Sequence, residues 1–269
     1  MTGSTLLDGP TSAPTTGAAP RSLVILLHGY GSNGADLIGL VPYWRAALPD
    51  TLFLAPNAPQ ACPGAPGGRQ WWPLTSLSPG ARAAGVRVAA PALNAYIDSH
   101  LAAYNLAENR LALVGFSQGT MMALHVGPRR VESLAGIVGY SGMLADPDAL
   151  VPEAATKLPI LLVHGDADEV VPVTAMYQTK SRLEALGFEV AAPRFAESRT
   201  QRRRNGAPAG RQLPGEPPRL RPITRAGGEG YRQVRVGKSS FGGGGCTQGR
   251  PGARCGPWLR KSDITPTRG

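Results

Sequence analysis

The sequence predicts an α/β protein with a doubly wound, mostly parallel sheet, followed by a disordered, basic C-terminal tail. Short apolar runs alternate with longer amphipathic ones between residues 22 and 190. Several of the short runs are apolar almost without a break, as in strands buried on both faces of a parallel sheet. The composition then changes abruptly near residue 191.

Taken in chain order, residues 1–20 carry neither a basic start nor an apolar run, so they read as a flexible leader and not as a secretory signal. SLVILL (22–27), TLFLA (51–55), LALVG (111–115), LAGIVGY (134–140), PILLVH (159–164) and FEVAA (188–192) are the expected strands. The helical period predicts helices over 35–48, 86–104, 118–126 and 174–187. Strand and helix in turn imply right-handed crossovers and helices on both faces of the sheet. The expected domain runs from 21 to 192.

Residues 1–190 hold 11 Lys and Arg against 14 Asp and Glu, whereas residues 191–269 hold 17 against 4. Only 9 of those last 79 residues are Leu, Ile, Val or Phe, and 15 are Arg. Such a segment buries too little apolar surface to offset the entropy of ordering it, so 193–269 is expected to be a disordered tail. Cys62, Cys246 and Cys255 make no metal spacing and leave an odd thiol. A reducing, cytoplasmic setting with no metal and no cofactor is the expectation. No apolar run reaches the roughly 18 residues of a membrane-spanning helix.

LALVGFSQGTMMALHVG (111–127) carries a serine between glycines where a strand hands over to a helix. Gly115 and Gly119 let the chain approach itself where a Cβ would clash, and Ser117 then sits on a tight strand-to-helix turn as a candidate nucleophile. The free N–H groups and positive dipole end of the following helix favour a developing oxyanion. An ordinary turn serine is the alternative.

LVILLHGYGSNGADL supplies a second glycine-rich turn after a strand, and it lacks the lysine and spacing of a phosphate-binding loop. With the elbow present, the backbone N–H groups of Tyr30 and Gln118 are the expected oxyanion hole. LPILLVHGDADEVVP delivers Asp166 and Asp168 at the C-terminal edge of a strand, where catalytic groups of open α/β sheets collect.

Together these motifs resemble the phospholipase/carboxylesterase group of α/β-hydrolases, the small esterases related to acyl-protein thioesterases. The resemblance spans about residues 21 to 190 and rests on LLHGYGSNGADL, APNAP (55–59), QWWPL (70–74), GFSQGTMMAL, GYSG (139–142) and HGDADEVVP. It implies an α/β-hydrolase fold, an acyl-enzyme mechanism, and Asp168 as the triad acid with Asp166 in support. Trp71 and Trp72 fall where the family has aromatics near the substrate groove. Core packing is the equal alternative for both.

The chain order of such a triad is Ser, then Asp, then His, yet no histidine follows His164. His28, His100, His125 and His164 all precede Asp168, and each reads as a structural or exposed residue. The family's histidine comes after one more strand, and here that interval ends in PRFAESRTQRRR, where the composition changes. The coincidence points to a reading-frame shift near residue 192 in a GC-rich gene, since such genes read out of frame yield Arg, Gly, Pro and Ala. Back-translated from Pro193 to Gln201 and moved by one base, the codons permit His-Val-Ser-Pro-Ser-Leu-Gly-His, which puts a histidine near position 200. A sequencing error, a disrupted gene and a genuine extension remain three readings of the same tail.

The sequence therefore predicts a serine carboxylester hydrolase for short to medium acyl esters or thioesters, impaired by the missing base. The alternative is a catalytically silent hydrolase fold whose basic tail binds nucleic acid or anionic surfaces in a salt-dependent way. The sparse aromatics of the tail, Phe195, Tyr231, Phe241 and Trp258, disfavour a nucleic-acid partner.

Overall fold

The computed structural model describes residues 7–76, 78–151, 156–166, 168 and 170–193. From residue 194 onward the expected tail lies outside the described residues, as does the position near 200 to which the shifted frame would bring a histidine.

Among the described residues, seven strands form one sheet: β1 (Thr11–Ser12), β2 (Ser22–Leu27), β3 (Thr51–Leu54), β6 (Leu111–Phe116), β7 (Gly136–Tyr140), β8 (Ile160–Val163) and β9 (Val190–Ala191). A hairpin of β4 (Gln60–Ala61) and β5 (Arg69–Gln70) stands apart. The order in the main sheet is β1-β3-β2-β6-β7-β8-β9, parallel throughout except for β1. The helices are α1 (Gly34–Ile38), α2 (Pro79–Ala103), α3 (Gln118–Val126) and α4 (Val173–Ala185). This is the doubly wound α/β-hydrolase architecture that the sequence predicts.

Alternate side chains of each strand enter different cores. Leu23, Ile25 and Leu27 of β2, with Leu111 and Leu113 of β6, pack against α2, α3 and α4. Val24 and Leu26, with Phe53 and Val114, meet α1 and Trp44 on the opposite face. Both faces being covered is why these strands read as continuous apolar runs.

Four elements differ from expectation. The first concerns the leader: within residues 1–20, Thr11 and Ser12 form an edge strand on Leu54 and Phe53, and the Ala55 N–H donates to the Pro10 carbonyl. A two-residue strand has too short a pattern to be legible. Next, the helix expected over 35–48 stops at Ile38, and a 3-10 turn follows at Val41–Tyr43. Pro42 has no N–H to extend an α-helix. Third, α2 begins at Pro79, before the expected 86. Ser78 caps it by accepting from the Ala81 N–H, and Pro79 occupies a first-turn position where a missing N–H costs nothing. Gly85 inside α2 is where the Trp72 ring packs, since a Cβ there would lie 2.3 Å from it. Finally, of FEVAA only Val190 and Ala191 pair with β8. Gly187 (φ 83°) ends α4, with Gly187 N–H donating to Glu184 and Phe188 N–H to Leu183, a Schellman close.

Among the described residues no helix is long and apolar enough to cross a membrane, and no cluster of three potential metal ligands occurs.

α3 lies directly on the backbone of the sheet. A Cβ on Gly119 would sit 1.9 Å from the Leu27 carbonyl oxygen, and one on Gly115 would sit 2.5 Å from the Gly119 main chain. These neighbours are backbone and cannot swing away. Gly119→Ala is therefore expected to cost about 3 kcal/mol or more, read as a shift in the urea midpoint. A cost near zero would mean that α3 is free to lift from β2.

On the far side of α3, His125 is buried beside Asp146, whose carboxylate holds Arg87 through bonds of 2.6 and 2.7 Å. Burial, reinforced by Arg129, pushes the His125 pKa down to about 4 although Asp146 opposes the shift. The folded state thus keeps the ring neutral while the unfolded chain protonates it below about 6.5. Stability is full above that value and is lost as the pH falls from about 6.5 toward 4. Between pH 7 and pH 4.5 we expect a loss on the order of 2 kcal/mol, and a smaller loss in His125→Gln. Equal losses in the two proteins would show that the neutral ring is not what the fold protects.

Candidate active site

The register of the sheet assembles the site. β2 and β6 pair in parallel with Leu27 opposite Gly115. Past the strand ends the two segments stay together, with Gly29 packed against Phe116 and Ser117. The adjacency is physical: a Cβ built on Gly29 would lie 3.3 Å from the Ser117 Cβ.

Ser117 has φ 52° and ψ −113°, outside the common region for a residue with a side chain, and stands at the N-cap of α3. Its N–H donates to the Tyr140 carbonyl at 2.9 Å, and its carbonyl accepts from the Met121 N–H at 3.1 Å. The Thr120 hydroxyl donates to the same Tyr140 carbonyl. GYSG closes over the turn, with Gly142 so near that a Cβ would meet the Thr120 Cβ at 2.4 Å. The serine is half-buried, and its hydroxyl has no hydrogen-bond partner among the described residues.

The loop after β2 is fastened on every side. The Asn33 side chain caps α1, the Ser32 hydroxyl donates to Asp36, and Asn57 of the APNAP turn accepts from the Gly34 N–H. Gly31 N–H donates to Arg69, and Arg69 N–H donates to Ser32. The Cys62 thiol beside the Tyr30 hydroxyl, together with burial, pushes the phenol up to about 12. The Tyr30 backbone N–H has no partner among the described residues.

Gln118 is buried, and its side-chain amide serves the chain rather than the site. Its Oε1 accepts from the Trp71 N–H and its Nε2 donates to the Trp72 carbonyl, both at 2.9 Å. Trp71 and Trp72 are 1% and 3% exposed. Their rings therefore lie in the core, and their burial gives no support to the substrate-groove role weighed from the sequence.

Asp168 lies in the loop after β8, with β7 between it and the serine turn. Two strand spacings put roughly 10 Å between these chain segments, too far for a direct hydrogen bond and wide enough for one bridging ring. Asp168 Oδ1 accepts from the Val170 and Val171 N–H groups, which fixes the carboxylate. Asp166 is exposed. The distinction between the two follows from the loop closing on Asp168 and is invisible in composition.

No histidine is poised as a base. His28 and His164 have buried rings tied to main chain, His164 through Nε2 donating to the Val171 carbonyl at 2.6 Å. His164 Nε2 is 3.5 Å from Asp168 Oδ2. His100 bonds to Tyr96 and Ser99 on α2, and His125 lies by Asp146. The structure thus brings together Tyr30, Ser117 and Gln118, with Gly115 and Gly119 beneath them and Asp168 across β7. Sequence reasoning missed the buried polar partners, His28 and the Gln118 amide. A histidine directly after a fully apolar strand was the only signal for the first.

The profile of the Phospholipase/Carboxylesterase family matches residues 14–201. Acyl-protein thioesterase 1 of Schizosaccharomyces pombe is 32% identical over 163 residues, which cover 57% of this chain and 71% of that protein. Esterase YpfH of Escherichia coli is 28% identical over 171 residues, 63% of this chain and 72% of the relative. The crystal structure of esterase PE8 superposes with a TM-score of 0.67 at 45% identity, covering 70% of this chain and 88% of that one. The chain belongs to the phospholipase/carboxylesterase family of serine hydrolases.

Proposed function

We propose that this chain hydrolyses short to medium acyl esters or thioesters through an acyl-enzyme, with Ser117 as nucleophile and the Tyr30 and Gln118 N–H groups as oxyanion donors. The observation that carries the reading is the register of β2 against β6, which sets a free backbone donor and the N-terminus of α3 beside a strained serine. The esterase and thioesterase relatives support it.

Ser117 Oγ adds to the carbonyl carbon, and negative charge collects on the carbonyl oxygen, where the two N–H groups meet it. The Oγ proton passes to a base. The intermediate then collapses, expelling the alcohol or thiol, and water releases the acyl group in a second addition. Asp168 would orient the base and offset the charge it gains.

In this sequence the base is missing after Asp168, so the proton passes to solvent. Loss of a triad base leaves a residual of roughly 10^3- to 10^4-fold over water, supplied by the oxyanion hole and binding. Such a chain favours substrates whose leaving group departs without a proton. A thiolate, with a parent pKa near 8.5 for a cysteine-like thiol, leaves far more readily than an alkoxide. Frame displacement near residue 192 remains our reading of the missing histidine.

Ser117→Ala is expected to abolish the residual hydrolysis of a short p-nitrophenyl ester and labelling by a fluorophosphonate. Undiminished turnover in that variant would place the chemistry elsewhere. Moving the frame by one base near codon 192 is expected to raise kcat by several orders of magnitude, with a rate that climbs through a pKa near 6.5. Equal rates from the two reading frames would mean that an upstream histidine already serves as the base.

A further inference from the structure

The two backbone donors stand on one buried hydrogen-bond circuit with the His28 ring at its centre. The Ala58 N–H can only donate, and it does so to His28 Nε2 at 2.9 Å. The ring proton therefore sits on Nδ1, which donates to the Gly29 carbonyl at 2.7 Å. Burial lowers the pKa of this ring, which keeps it in that neutral form. On its other side the His28 carbonyl accepts from Trp71 Nε1 at 3.0 Å. The Trp71 N–H then reaches Gln118 Oε1, and Gln118 Nε2 returns to Trp72.

The Gly29 carbonyl and the Tyr30 N–H belong to one peptide unit. In a planar trans peptide they point in opposite directions, so whatever holds the carbonyl also aims the N–H. Among the described residues, the Gly29 carbonyl receives besides the His28 ring only the Ser32 N–H, at a longer 3.3 Å. His28, Ala58, Trp71 and Gln118 are all at most 2% exposed. Hydrogen bonds so far from water are strong and hard to exchange.

We propose that His28 is a positioning residue for the oxyanion hole: its Nδ1–H, set by the Ala58 amide, fixes the Gly29–Tyr30 peptide so that the Tyr30 N–H faces the intermediate at Ser117. Trp71 and the Gln118 side chain hold the second donor in register with the first. A histidine outside the triad thus does part of the work of catalysis without touching a proton of the substrate. The proposal rests on the reading of Ser117 and the two donors given above.

Two isosteres separate positioning from simple support. In H28N the shorter amide places an N–H donor where Nδ1 stands and loses the acceptor for Ala58. In H28Q the longer amide keeps an acceptor for Ala58 and loses the donor to Gly29. Both lose the ring, so both are expected to lower Tm. For p-nitrophenyl acetate hydrolysed by the full chain, H28Q is expected to lower kcat by about 30- to 100-fold, toward the 10^2- to 10^3-fold cost of a lost oxyanion donor. The loss in H28N should be about tenfold smaller or better, with KM within about twofold in both, as for an interaction made only in the transition state. Trp71→Phe keeps the buried ring, drops one bond of the circuit, and should lower kcat several-fold at constant KM. It decides the matter by the same split if neither His28 variant folds.

Equal kcat losses in H28N and H28Q that track Tm, or a rise in KM at constant kcat, would overturn the positioning role. If Ser117→Ala abolishes turnover while H28Q keeps the parent kcat, only this inference falls. If Ser117→Ala leaves turnover intact, the function proposed above falls first and this inference with it.

Discussion

The close approach of α3 to the backbone of β2 is the constraint from which the site follows. Gly119 rests on the Leu27 carbonyl and Gly115 on Gly119, so the turn between them has no room to relax. Ser117 is left with a positive φ at the C-terminal end of the central strand β6. The same contact keeps the Gly29–Tyr30 turn alongside the serine, because β2 and β6 share a register that ends within two residues of both. Strain of this kind persists only where packing over-determines it, and here the neighbours on both sides of the turn are main chain.

The polar groups around the turn work as a scaffold for charge that has yet to appear. Their partners are largely backbone: the His28 ring joins Ala58 to Gly29, and the Gln118 amide joins Trp71 to Trp72. Each buried group is thereby satisfied, and the donors proposed for the oxyanion need no reorganisation when charge develops. The glycine-rich loop would otherwise be the most mobile part of such a site, yet Asn33, Asn57 and Arg69 tie it at three further points.

Around the serine turn the described residues hold a fixed carboxylate and no histidine poised beside it. The Asp168 carboxylate is held by two backbone N–H groups across β7 from the serine, and no histidine among the described residues stands between them. The buried histidines are committed to carbonyls or, for His125, enclosed on the far side of α3.

The sequence by itself determined the parallel strands, because burial on both faces demands unbroken apolar runs such as SLVILL and LALVGF. It also determined the elbow, because only glycine tolerates the contacts at 115 and 119. Both are local signals. The edge strand at Thr11–Ser12, the β4–β5 hairpin and the early start of α2 at Pro79 were not legible, since two-residue pairings carry no period and Pro79 and Gly85 read as loop residues. Only tertiary structure decided that the Trp71 and Trp72 rings face the core, that Asp168 rather than Asp166 is held by its loop, and that His28 serves the peptide next to it. The roles of the tryptophans and of His28 are set by partners distant in the chain, Gln118 and Ala58, and a hydrogen bond across the fold leaves no pattern in the sequence around either end, whereas Asp168 is held locally by the Val170 and Val171 N–H groups.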